Sequence, residues 1–78
     1  MNAAEQWQIW HGLDGNDLGR RVRIERGMLA DPLIVYGTIE HFVISSSKVD
    51  LWLQGGHRYW HNRGDEGVIP ADRLFFIR

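Results

Sequence analysis

From Arg20 onward the chain alternates apolar and polar residues in short runs, and glycines cut the runs off. In Arg21-Val22-Arg23-Ile24-Glu25-Arg26, Val22 and Ile24 alternate with charges, the mark of a half-buried strand. Leu33 to Ile44 is a longer β-rich segment, and Gly37 in its middle predicts a bulge or bend. Ser45-Ser46-Ser47-Lys48 reads as a loop. Val49-Asp50-Leu51-Trp52-Leu53 alternates cleanly, with Val49, Leu51 and Leu53 directed inward. Gln54-Gly55-Gly56 is a turn and His57 to His61 a fourth strand. Beyond the turn Asn62 to Gly67, Val68-Ile69 reads as a short strand, Pro70-Ala71-Asp72-Arg73 as a tight helical turn, and Leu74 to Ile77 as a closing strand. Five or six short strands with glycine-marked turns suit a small barrel, which also removes the sticky edges of an apolar sheet.

Size makes that economy necessary. A chain of 78 residues forms one domain and buries only ~60% of the surface it exposes when unfolded. It contains no cysteine, so neither a disulfide nor a thiolate zinc site stabilises it. Apolar packing, or a partner subunit, must do so. Nine basic residues face ten acidic ones, which excludes an overall basic surface of the kind that binds nucleic acid without specificity. All but Lys48 of the nine are arginine. No apolar run reaches the ~20 residues of a membrane span, and Met1-Asn2-Ala3-Ala4-Glu5 lacks the features of a signal peptide, so a cytoplasmic protein without membrane contact is expected.

Residues 1–19 have a different character and read as an N-terminal arm and loop ahead of a barrel over residues 20–78. Ala3 to Trp10 can form about two turns of helix, with Trp7 and Trp10 on a common face. Gly12 to Gly19 is turn chemistry.

Tyr59-Trp60-His61-Asn62-Arg63 followed by Gly67-Val68-Ile69-Pro70-Ala71-Asp72-Arg73-Leu74 resembles the second half of SH3 domains. That resemblance implies an SH3-like small β-barrel. It places Tyr59 and Pro70 in two of the peptide-gripping roles, with Arg73 standing where a tyrosine is expected. The same stretch, with Gly37-Thr38-Ile39-Glu40-His41-Phe42, is similar to the two signatures of Sm-like proteins, which implies RNA binding; here Ser45 to Lys48 and Pro70-Ala71 occupy the loops that would carry it. Gly19-Arg20-Arg21-Val22-Arg23 and Ile69 to Ile77 resemble the opening strand and final run of type II dihydrofolate reductases. The Glu66-Gly67-Val68-Ile69 stretch replaces that family's Val-Gln-Ile-Tyr. The fold class is therefore read as all-β, an SH3-like small barrel of five to six strands with a short N-terminal helical arm.

Catalytic chemistry is hard to assemble from these residues, and no cofactor is implied. Ser45, Ser46 and Ser47 share a loop four residues from His41, and turn serines commonly serve local hydrogen bonding. His57 and His61 lie ~13 Å apart if they share a strand, too far for one metal ion, and read as two polar residues on an outer face. The aromatic residues carry the functional expectation. If Leu51 and Leu53 point in, Trp52 points out, and either Tyr59 or Trp60 does too. The arm reads either as a cover over these rings or as leaving them free for contacts. The expected function is a non-catalytic binding or adaptor module, quite in keeping with a phage or mobile-element accessory protein. Its contacts, with a protein partner or a second copy, fall to Trp52, Arg58, Tyr59, Trp60 and Arg63. One alternative is a nucleic-acid-binding barrel using Arg20, Arg21, Arg23 and Arg26; another is a small-molecule site or enzyme formed at the axis of an oligomer.

Overall fold

The computed structural model describes residues 3–63 and 72–78. A helix, α1 (Ala3–His11), leads into a single 3₁₀ turn over Gly15–Asp17 and then into five strands: β1 (Arg21–Arg26), β2 (Leu33–Ile44), β3 (Lys48–Leu53), β4 (Arg58–Asn62) and β5 (Asp72–Phe76). All strand pairings are antiparallel, and the spatial order is β4-β3-β2-β1-β5. The protein is all-β, with one short helix, and its sheet curls toward a barrel without closing. The expected strand at Val68-Ile69 and the residues Pro70-Ala71 lie outside the described residues. Asp72 and Arg73 belong to β5 rather than to a helical turn, because both pair with β1 opposite Arg26 and Glu25.

Alternation holds along β1 and β3. Val22 and Ile24, and Val49, Leu51 and Leu53, all point into one core. β2 serves both halves of the sheet: Leu33 to Thr38 pair with β1, and Ile39 to Ile44 with β3. The register slips between Ile39 and His41, which makes Glu40 the extra residue of a bulge. That slip, not Gly37, is where the expected irregularity falls. It lets Ile39 and then Phe42 and Ile44 stay on the core side while His41 and Val43 turn out. Gly37 has a different task. A Cβ there would lie 2.7 Å from Leu53 Cδ1, so the missing side chain lets Leu53 pack directly on the β2 backbone.

The two outer strands of the sheet, β4 and β5, share no backbone ladder. Side chains join them instead. The buried Asp72 carboxylate on β5 accepts a hydrogen bond from the Trp60 backbone N–H on β4 at 3.1 Å. It also takes two from the Arg26 guanidinium, at 2.6 and 2.9 Å. These bonds hold the Arg26 pKa above its ordinary value despite partial burial.

Helix α1 lies over the same seam, in contact with β4 and β5. Gln6, Trp7, Trp10 and, beyond the helix, Leu13 are all buried. The Gln6 amide behaves like a piece of missing strand. Its Nε2 donates to the Leu74 carbonyl at 3.1 Å, and its Oε1 accepts from the Leu74 N–H at 2.7 Å and from Trp10 Nε1 at 3.2 Å. On the β4 side, Trp7 and Trp10 meet the buried His61 ring edge-on, with centroids 5.5 and 6.0 Å away. His61 therefore lies inside the protein, not on an outer face, because it has the same parity as the buried Tyr59. His57 is exposed, as expected.

Replacing Gln6 by Ala strands the Leu74 amide and carbonyl and the Trp10 N–H in an apolar seam. We expect a loss of about 3 kcal/mol of unfolding free energy by urea titration. Gln6→Glu is also destabilised at neutral pH, but recovers part of the loss as the pH falls, because only a protonated carboxyl can donate to the Leu74 carbonyl. Wild-type stability in Gln6→Ala would mean that water replaces the amide.

Candidate functional site

Beyond the bulge, the outward positions of β2, β3 and β4 come into cross-strand register. His41 pairs with Trp52, Trp52 with Arg58, and Asp50 with Trp60. Each side chain reaches this face because its strand neighbours are claimed by the core: Leu51 and Leu53 beside Trp52, Tyr59 and His61 beside Trp60. The result is a row of flat groups. The His41 and Trp52 rings lie 5.2 Å apart at a 36° tilt. The Arg58 guanidinium sits 4.7 Å from the centre of the Trp60 ring, and Arg26 approaches that ring at 5.4 Å. Trp60 remains 39% exposed, Val43 opposite Asp50 is also open, and Trp52 is half-buried.

Charge on this face is largely matched within it. Asp50 Oδ1 accepts from Arg58 Nη1 at 2.6 Å and lies 3.5 Å from Lys48 Nζ. Arg26 is bound by Asp72. The arginine is thus anchored beside the tryptophan rather than waving free, which lowers the entropy cost of using it in a contact.

Of the residues expected at the site, the fold brings together Trp52, Arg58 and Trp60. Tyr59 is not among them, since it faces the core as the strand neighbour of Trp60. Its ring instead underlies Arg26, at 4.8 Å. Arg63 goes elsewhere too: its guanidinium lies 5.8 Å from the Trp7 ring, against α1. The arm does not cover the outward rings, because Trp7 and Trp10 are spent on His61 at the seam.

The four arginines of the alternative patch are spread out. Arg20 pairs with Asp17 at 3.1 Å and stacks on Phe76. Arg23 pairs with Glu25 at 2.9 Å and lies over Phe75. Arg21 and Arg23 share the outer side of β1, whereas Arg26 has the parity of Val22 and Ile24 and turns toward Asp72.

Sequence reasoning missed His41, Val43 and Asp50 as members of the face. The placement of His41 and Val43 depends on the Glu40 bulge, for which the local sequence gives no glycine signal, whereas Asp50 faces out by the alternation of β3. Ser45 and His41 do not form a catalytic pair: the Ser45 hydroxyl donates to the Lys48 carbonyl at 3.0 Å and accepts from the Lys48 N–H at 3.1 Å, which fixes the β2–β3 turn. No group of three or more metal-ligating side chains occurs among the described residues. No helix among them is long and apolar enough to cross a membrane. Comparison with protein-family models, with curated proteins and with solved structures finds no match to the chain.

Because Trp60 is 39% exposed, Trp60→Ala should cost about 1–2 kcal/mol, from lost cross-strand packing and cation–π contacts. Leu51→Ala, on the opposite side of the same sheet, should cost about 2–5 kcal/mol. Thermal and urea unfolding of the two variants check both values; equal losses would place Trp60 in the core.

Proposed function

We propose that this chain is an SH3-like small barrel that acts as a protein-binding or adaptor module, and that its contact face is the row His41, Trp52, Arg58 and Trp60. The observation that carries the reading is the exposed Trp60 ring flanked by Arg58, with Arg58 already paired to Asp50. Tryptophan and arginine dominate the energetics of protein interfaces when they are pre-positioned and surrounded by groups that exclude water. A four-stranded antiparallel meander whose fifth strand returns to pair with β1, and in which a long β2 serves both halves, supports the SH3-like reading of the fold.

The face favours docking by side chains over addition of a strand. Asp72 takes the Trp60 N–H at the β4 edge, and Gln6 takes both backbone groups of Leu74 at the β5 edge. A peptide seeking to extend the sheet would have to displace them.

Nucleic-acid binding is the second reading, because bases stack on aromatic and guanidinium planes of small barrels. It gains little from Arg20, Arg21, Arg23 and Arg26, three of which are neutralised by carboxylates of the same chain.

The test uses the full chain immobilised in lysate from its own host, alongside Trp52→Ala, Trp60→Ala and Arg21→Ala/Arg23→Ala. The proposal expects a protein captured by the wild type and by the arginine variant but reduced at least tenfold by either tryptophan variant. In parallel, single-stranded oligonucleotides are titrated at rising salt. Tight oligonucleotide binding that weakens steeply with salt and depends on the arginines would overturn the protein-binding reading in favour of the second.

A further inference from the structure

Among the described residues, the largest group of exposed apolar side chains is not on the tryptophan face. Eight large apolar side chains stand out from the described residues, and five of them fall between Met28 and Tyr36. Met28 is 75% exposed, Leu29 52%, Leu33 64%, Ile34 46% and Tyr36 59%. All five belong to the β1–β2 hairpin. Ile34 and Tyr36 share the outer side of β2, opposite Glu25 and Arg23 of β1. Met28 and Leu29 lie in the connection itself, and Leu33 opens β2 where the strand has run past the core.

From this we infer that the β1–β2 hairpin is a self-association surface, and that its occupant is the same hairpin of a second copy of this chain. Area is the first argument. Side chains of this size expose on the order of 200 Å² each when fully free, so these fractions leave ~600 Å² of apolar surface per chain around the end of the hairpin, with Leu33 on the opposite side of β2 from Ile34 and Tyr36. Summed over the connection and both sides of the hairpin end, it supplies most of the ~800 Å² that each partner contributes to a stable interface.

Charge is the second argument. Arg23 next to the patch is paired with Glu25, and Arg26 at its base with Asp72. A partner of opposite charge would find these side chains already matched. A second copy brings an equally apolar surface with its charges equally satisfied, the composition that marks homodimer interfaces. A two-fold contact of hairpin on hairpin buries both patches at once and leaves nothing sticky to propagate. It also adds apolar burial to a domain that has no disulfide and a small core. The surface is separate from the Trp52–Trp60 face, so a dimer would present two copies of that face.

Sedimentation velocity of the full-length protein, from micromolar to millimolar concentration, tests the inference. The wild type should sediment as a dimer at the higher concentrations, and its melting temperature should rise with concentration. Met28→Glu/Leu33→Glu, at the two most exposed positions of the five, should remain monomeric throughout while keeping the wild-type circular dichroism spectrum. Leu29→Lys, in the connection between the strands, serves as a second disrupting variant with minimal demand on the fold. Trp60→Ala should leave the dimer intact. A wild type that stays monomeric at every concentration overturns the inference and leaves the hairpin to a different kind of partner. A dimer that survives all the hairpin substitutions, or that is lost in Trp60→Ala, overturns it as well.

Discussion

Everything in this fold depends on how the gap between β4 and β5 is closed. A five-stranded sheet of this size curls but does not complete its ladder, and an open pair of edges exposes backbone groups and the core behind them. Here two side chains take the place of the missing hydrogen bonds. Asp72 reaches across to the Trp60 N–H, and Gln6 satisfies both backbone groups of Leu74. Trp7 and Trp10 then fill the space above His61. The helix is thus part of the core. It supplies the apolar volume that a chain this short cannot spare from its strands.

The same closure decides which surfaces remain available. With both edges occupied, the groups left for recognition are side chains on outward faces. Among the described residues, two such faces stand out, one on each half of the long β2 strand. The first half carries Ile34 and Tyr36 beside β1, and the second carries His41 and Val43 beside β3. Glu40 separates them. By absorbing one residue, the bulge keeps Ile39, Phe42 and Ile44 on the core side and still delivers a histidine against Trp52. One strand therefore supports both an apolar face and an aromatic–arginine face, for which we propose a like and an unlike partner respectively.

Much of this was legible along the chain. The inward set of β1 and β3, the common face of Trp7 and Trp10, and the outward direction of Trp52 all follow from local periodicity, and the structure agrees with each. Periodicity also required that one of Tyr59 and Trp60 face out, without saying which. His61 and Asp72 read as surface or turn residues because polar side chains usually are. Both are buried, since the seam needs a ring for the tryptophans and an acceptor for Trp60. Proximity in sequence groups Arg63 and Tyr59 with the contact face, but it is a poor guide where a strand alternates sides and a turn redirects the chain.

What the sequence determined by itself is a set of strands with one apolar side each, a short helix with paired tryptophans, and the balance of charge that removes a basic surface. These are local properties: side-chain alternation, turn chemistry and composition act over a few residues and need no partner to be read. Only the tertiary structure decided which strands become edges, where the helix docks, that Gln6 and Asp72 stand in for backbone, and that a bulge at Glu40 brings His41 to Trp52. Those outcomes join residues as far apart as Gln6 and Leu74, and they arise because buried backbone groups must find hydrogen-bond partners wherever the packed core leaves them.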